Sequence, residues 1–154
     1  MAAVSEAGLE RSDCMAPKTE RVPLNSTVYI GTYTKNDTEG ICLLHCDETS
    51  GALTLREVVA EGLNPSYLCV DPNGRHLYAV NELNEFAGQP GGGVTAYAID
   101  GTSGRLHLLN RRPSGGKGPC YISLDPTCRF VLVANYAGGS VAVTMTAATF
   151  LSCS

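Results

Sequence analysis

Apolar runs of a few residues alternate with clusters of turn-forming residues along most of this chain. In the middle of the sequence they fall at 67–70 (YLCV), 76–81 (HLYAVN), 94–99 (VTAYAI) and 105–110 (RLHLLN). Runs this short, rich in Val, Ile, Leu and Tyr and bounded by Asp, Asn, Gly, Pro and Ser, predict strands, not helices. We call the four runs A, B, C and D. A joins B through Asp71-Pro72-Asn73-Gly74, where Pro fixes one backbone angle and Gly takes the left-handed position. C joins D through Asp100-Gly101-Thr102-Ser103-Gly104. B joins C through a longer stretch, 83–93, ending in three glycines. Connections this tight require antiparallel neighbours. A and B are apolar on both faces and are expected to be buried on both sides. C alternates more and is expected to lie further out.

The pattern is written more than once. GLNPSYLCVDPNGRHLYAVNE (62–82) matches GKGPCYISLDPTCRFVLVANY (116–136), so that Pro65, Tyr67, Asp71, Arg75 and Asn81 pair with Pro119, Tyr121, Asp125, Arg129 and Asn135. GICLLHCDETSGALTL (40–55) matches GVTAYAIDGTSGRLHL (93–108). Four-stranded antiparallel units recurring every ~40–50 residues are the mark of a β-propeller. The chain has no Trp, which excludes the WD40 class. A β-sandwich is the competing fold, but it needs no internal repeat. Residues 28–59 supply B, C and D, residues 62–112 a whole unit, and residues 116–143 A, B and the start of C. The expectation is an all-β partial propeller of about two and a half blades, with bare faces and strand edges at its ends. In the third unit Cys128 stands where Gly74 stands in the second, giving a poorer turn.

Composition narrows the rest. A net charge of −4 gives no electrostatic case for nucleic acid or an anionic membrane, and no apolar run is long enough to span one. Residues 1–26 have early acids and no apolar core of a secretory signal, and are expected to be a disordered tail. Seven cysteines without a C-x-x-C motif are expected to be reduced thiols in a cytoplasmic protein. Cys42 and Cys46 would lie roughly 13 Å apart on one strand, too far to pair. No Cys/His set has zinc spacing, so no metal is expected. GQPGGG (88–93) and GGKG (115–118) lack the ending and context of a phosphate loop, and read as permissive turns.

VYIGTYT, NPSYL, LYAVNE, GVTAYAID, TSGRL and VANYAGGSVAV, in that order, resemble the opening of the lactonase family of seven-bladed propellers. That family contains the propeller-type 6-phosphogluconolactonases and is similar to fungal carboxymuconate cyclases. The resemblance covers residues 27–143. It implies hydrolysis of a sugar lactone, with 6-phosphogluconolactone the leading substrate and no required cofactor. Members often carry His where this chain has Tyr121, and the family's later P-H-A-H segment and catalytic arginines have no counterpart here. Residues 144–154 match nothing in the repeat and are expected to be an aberrant or unstructured tail. The LYAVN…GVTAYAID repeat also resembles Y-V-T-N propellers, whose members often bind without catalysing, so a binding module is the alternative.

The repeat selects one rim for chemistry. The end of B lies beside the start of A, and the B–C and D–A loops share that end, gathering Thr32, Tyr33, Asn64, Asn81, Glu82, Glu85, Lys117, Gly118, Tyr121, Asn135 and Tyr136. Lactone hydrolysis needs a base to activate water, donors for the oxyanion and, for a phosphorylated substrate, cations or N–H groups. Glu82 is the candidate base, against the plainer reading that it ties the B–C loop. Asn81, Lys117, Asn135 and Tyr136 are the candidate substrate contacts. Recurrence of Asn81 and Asn135 favours a structural role, such as tying loop backbone, and Arg111 and Arg112 could join Lys117 at a phosphate. His45, His76 and His107 all fall away from this rim. A chain with bare blade faces is also expected to self-associate, aggregate readily and be inactive alone.

Overall fold

The computed structural model describes residues 2–4, 26–34, 40–59 and 62–146. Among the described residues every element is a β-strand, and every strand pair is antiparallel. The first sheet contains β1 (Ala2–Val4), β2 (Ser26–Gly31), β3 (Ile41–Cys46) and β4 (Leu53–Val59), in that order. The second contains β5 (Leu68–Val70), β6 (His76–Asn81), β9 (Gly93–Ile99) and β10 (Leu106–Pro113), in the order β5-β6-β9-β10. Between β6 and β9 a small hairpin, β7 (Glu85–Phe86) with β8 (Gln89–Pro90), stands apart as its own two-stranded sheet. The third contains β11 (Pro119–Leu124), β12 (Phe130–Asn135) and β13 (Ser140–Met145). These are three consecutive propeller blades, as the repeat requires, with A innermost and D outermost.

The blades stack through two apolar interfaces. Tyr29, Ile41 and Leu43 of the first blade pack on Leu68, Leu77, Ala79 and Tyr97 of the second. Tyr78, Val80, Val94 and Ala96 on the second blade's other face pack on Ile122, Val131 and Val133 of the third. Leu68, Leu77 and Ala79 match Ile122, Val131 and Val133 in the repeat, so one joint is built twice. The middle blade is therefore buried on both sides. At about 25 cal/mol per Å² of apolar surface removed from water, these joints are the main stabilising contribution. Tyr29 also donates a 2.6 Å hydrogen bond to the carbonyl of Gly104 across the first joint. Burial pushes its phenol up to about 12, so it remains a donor at neutral pH.

Turn chemistry repeats at atomic detail. Asp47 Oδ1 accepts from the amides of Thr49 (2.9 Å) and Ser50 (2.8 Å), and Asp100 Oδ1 from Thr102 (3.0 Å) and Ser103 (2.7 Å). Asp71 Oδ1 takes the amide of Arg75 at 2.7 Å, whereas Asp125 Oδ1 takes that of Phe130, one position further along the repeat, at 2.7 Å. Gly74 has φ 65°, and Cys128 is forced to φ 55° in the same turn. A side chain in that region costs ~1–2 kcal/mol.

Three expectations change. Ala2–Val4, inside the stretch read as a disordered tail, forms β1 and fills the innermost position of the first blade, pairing with Val28, Tyr29 and Ile30. An unpaired inner edge of β2 is a ready template for any extended segment, which composition could not reveal. Other residues of 1–26, apart from Ser26, lie outside the described set. Run C does lie outside B, but Gly93 to Tyr97 of β9 are fully buried, because both of its faces meet a neighbouring blade. In the third blade C runs on past residue 143: Thr144 and Met145 pair with Val131 and Phe130. Residues 147–154 lie outside the described set.

Candidate functional site

Antiparallel register builds the rim. Leu68 opposes Ala79, so residues 64–66, just before β5, come to lie against 81–83, just after β6. Backbone bonds lock the approach: the amide of Glu82 donates to Asn64 O (3.0 Å), that of Gly118 to Leu83 O (2.9 Å) and that of Tyr136 to Gly118 O (2.9 Å). Gly31 makes the inter-blade contact possible, since a Cβ there would stand 1.9 Å from the carbonyl oxygen of Pro65.

Three side chains from two blades converge. Tyr33, just past β2, donates its hydroxyl to Glu82 Oε2 at 2.8 Å. Ser66, at the entrance to β5, donates to the same oxygen at 2.5 Å. One carboxylate oxygen is thereby fixed by two donors. The Tyr33 phenol is held above its ordinary value, first by this bond to Glu82 and then by burial, so it serves as a donor. Asn64 supports the arrangement from below. Its Nδ2 donates to the carbonyl of Glu82 (3.2 Å), and its Oδ1 accepts from the amide and hydroxyl of Thr34 (3.0 and 3.1 Å). Asn64 adopts φ 47°, a left-handed conformation Asn tolerates better than most residues. Next to Ser66, Tyr67 packs against Tyr121 with ring centroids 4.6 Å apart, joining equivalent positions of adjacent blades. Burial, then Tyr121, pushes the Tyr67 phenol up.

The other candidates divide. Asn81 is buried, with Nδ2 on the carbonyl of Leu63 (3.0 Å) and Oδ1 taking the hydroxyl of Thr95 (2.6 Å). Asn135 is equally buried, with Nδ2 donating to Ser114 O (3.3 Å) and Ser140 Oγ (3.4 Å) and Oδ1 without a partner among the described residues. Both amides thus bond to the loop that precedes the inner strand of their own blade. Lys117 and Tyr136 are exposed on the rim, and the amide of Gly138 caps the carbonyl of Lys117 at 3.0 Å. Arg111 lines a cavity of about 210 Å³ beneath the β7–β8 hairpin, walled also by Leu63, Asn81, Leu83, Glu85 and Phe86, so that it borders both chain neighbours of Glu82. The histidines sit elsewhere: His76 Nδ1 lies 3.0 Å from Asp71 Oδ2 at the opposite end of β6, while His45 and His107 lie within β3 and β10. Among the described residues no group of three or more His, Cys, Asp or Glu is placed to hold a metal ion. Ser66 was the residue sequence reasoning did not single out. The A-to-B register, which sets it opposite the end of β6, was the available signal.

Residues 27–150 match the family model for the "Lactonase, 7-bladed beta-propeller". The chain is 41% identical over 115 residues to a 6-phosphogluconolactonase of Bacillus subtilis, covering 75% of this chain and 32% of that protein. It is 33% identical over 115 residues to a 6-phosphogluconolactonase of Formosa agariphila, covering 74% and 32%. The solved structure of a periplasmic gluconolactonase of Pseudomonas aeruginosa superimposes with a TM-score of 0.69 at 35% identity, covering 77% of this chain and 34% of that one. The chain thus spans about a third of the length of these relatives. Matched over most of its length by sequence and by blade geometry, the chain belongs to the lactonase family of seven-bladed β-propellers.

Proposed function

We propose that the rim built by these three blades contributes to hydrolysis of a sugar lactone, 6-phospho-D-glucono-1,5-lactone before others, to the open-chain acid. The observation that carries this reading is the Glu82 carboxylate, anchored through Oε2 by Tyr33 and Ser66 at the end of the scaffold where loops gather. Held in this way, Glu82 accepts a proton from a water attacking the lactone carbonyl. The carbonyl carbon becomes tetrahedral, the ring C–O bond then breaks, and the ring oxygen leaves as a hydroxyl by taking that proton back from Glu82. The exposed face of Tyr121 offers a wall for the sugar, and exposed Lys117 a cation for a phosphate. Relatives named 6-phosphogluconolactonase support the substrate class. A product of that kind belongs to the pentose phosphate pathway.

Three blades bury only the middle one on both faces, so residues 27–146 alone are expected to lack turnover and to self-associate. The free thiols at Cys42, Cys46, Cys69, Cys120 and Cys128 support a reducing, cytoplasmic location. Among the described residues no helix is long and apolar enough to cross a membrane. The decisive experiment is a chimera in which residues 27–146 replace the matching third of the Bacillus subtilis relative, assayed on glucono-1,5-lactone and its 6-phosphate. Glu82→Gln is expected to lower kcat by about 10²–10⁴-fold. An unchanged kcat removes Glu82 from the chemistry. A folded chimera inert toward both lactones favours the binding-module reading.

A further inference from the structure

The connection from β6 to β9 is more than a turn. In the third blade the same step, from β12 to β13, takes residues 136–139 alone. In the second it carries the β7–β8 hairpin, whose base is closed by the amide of Gly91 on the carbonyl of Asn84 at 2.9 Å. The hairpin lies down on its own blade. A Cβ at Gly93 would stand 2.5 Å from the Phe86 ring, so the ring rests directly on the backbone where β9 begins. Beneath it is the cavity of about 210 Å³. Its walls are held from outside. Asn81 bonds to the Leu63 carbonyl and the Thr95 hydroxyl, and the carbonyl of Leu83 takes the Gly118 amide at 2.9 Å. Gly62 adopts φ 136°, and a Cβ there would stand 3.3 Å from both Asn81 Nδ2 and the Tyr97 hydroxyl.

Two charges of opposite sign, Arg111 and Glu85, line the cavity beside the apolar side chains of Leu63, Leu83 and Phe86. Neither charge follows from the repeat. Arg111 opposes Thr95 as Val58 opposes Cys42, and Thr95 and Cys42 are equivalent, so an apolar residue serves at this position in the first blade. Glu85 belongs to the hairpin that the third blade lacks. We propose that this cavity binds a small polyhydroxy acid, its carboxylate on Arg111 and its hydroxyl end at Glu85. The fork of an arginine matches a carboxylate. A glutamate carboxylate accepts from hydroxyls and repels a second anionic group, so the site selects a monoanion with one uncharged end. The C–H faces of the carbon chain lie along Leu83 and Phe86. A volume below the ~300–1,000 Å³ of drug-sized sites restricts the ligand to one monosaccharide-sized unit. The choice of a sugar acid rests on the lactonase reading of the rim, whose product is one. Asn81 and Leu83 flank Glu82, so an occupied cavity braces the backbone that carries the rim carboxylate.

Calorimetric titration of the whole chain with sodium gluconate, at constant ionic strength, tests this. A Kd of about 1 mM is expected for a ligand of this size. Glucitol keeps the hydroxyls but lacks the carboxylate, and is expected to bind about tenfold more weakly, a comparison that needs no variant. Arg111→Gln is expected to weaken gluconate binding by about tenfold. Arg112→Gln makes the same charge change on the opposite face of β10 and is expected to leave it unaltered. Hydrogen exchange locates the ligand: the Gly91 amide, bonded across the base of the hairpin, should exchange more slowly with gluconate present. No binding in the millimolar range, or equal affinity for glucitol, overturns the proposal. So does an affinity in Arg111→Gln that is lowered no more than in Arg112→Gln, which is the response of surface charge alone. Glu82→Gln separates this inference from the reading of the rim. It is expected to leave gluconate affinity unchanged even where it removes turnover from the chimera. A loss matching that of Arg111→Gln puts the ligand at the rim carboxylate and overturns the cavity site.

Discussion

The hydroxyl of Thr95 offers the sharpest test of how the rim is held. Thr95 is fully buried in β9 and donates at 2.6 Å to Asn81 Oδ1, while Asn81 Nδ2 bridges to the loop carrying Leu63. In the third blade the position equivalent to Thr95 is Ala142, since Thr95 opposes Ala79 as Ala142 opposes Val133. Asn135 Oδ1 accordingly has no donor among the described residues. The molecule thus contains both the satisfied and the unsatisfied version of one motif. Thr95→Val keeps shape and strand propensity and removes only the donor, leaving a buried amide oxygen unpaired, which costs about 1–3 kcal/mol. Taking ~2 kcal/mol and about 2–4 °C per kcal/mol for a chain of this size, the melting midpoint should fall by about 4–8 °C. The converse change, Ala142→Thr, supplies the missing donor. Forming that hydrogen bond is expected to gain about 0.5–1.5 kcal/mol. Urea unfolding followed by circular dichroism measures both. If Thr95→Val is neutral, or Ala142→Thr destabilises, the asparagines are not the struts inferred here.

Other consequences can be checked in the same assay. Cys128→Gly should stabilise by about 0.5–1 kcal/mol by relieving the left-handed strain at φ 55°, and Gly74→Ala should destabilise by about 1 kcal/mol, so opposite signs are required. Asp47 and Asp100 are held below the ordinary carboxylate range chiefly by the Ser50 and Ser103 amides, and Asp125 chiefly by the Thr127 hydroxyl. A depressed folded-state value contributes stability above the unfolded value of about 3.9 that is lost as pH falls through the folded one. Acid unfolding should therefore steepen below about pH 4, and less so in Asp100→Asn; a pH titration of stability unaltered by that change would contradict it. Val141 and Val143 leave one end of the array 73% and 61% exposed, so Val141→Lys with Val143→Glu should reduce self-association in sedimentation experiments at unchanged far-UV dichroism. Undiminished association would move the sticky surface elsewhere.

The blade architecture was legible because packing repeats at a fixed period. B of the middle blade falls on 76–81 as read, and its Asp-Pro turn closes as its residues dictate. The limits of legibility are physical. Burial of β9 depends on a neighbour that its own alternating pattern does not encode. The strand at Ala2–Val4 depends on a vacant edge created by residues far along the chain. At the rim, Glu82 and the loop gathering were readable from strand direction. Its partners Tyr33 and Ser66 required the exact offset between neighbouring strands, which bulges such as that between Pro119 and Tyr121 make unreadable from spacing alone.

Departures from the repeat carry the remaining information. The register makes Gly31 equivalent to Val80, so Tyr33, Glu82 and Tyr136 occupy one position in three successive blades, and Ser66 and Cys120 share another. One residue earlier, Asn81 and Asn135 are identical and buried in the second and third blades, each tying a rim loop, while the first blade has Thr32. Packing constrains the asparagine and leaves its neighbour free. Where a repeat diverges in the core, as at Ala142, the result is an unsatisfied oxygen and a stability cost. Where it diverges on the rim, no packing is lost, and the substitution places a phenol of one blade on a carboxylate of the next. On the proposed function, the carboxylate that stands once at a position otherwise occupied by tyrosine, bound by donors from two blades, is the group this rim would use for chemistry.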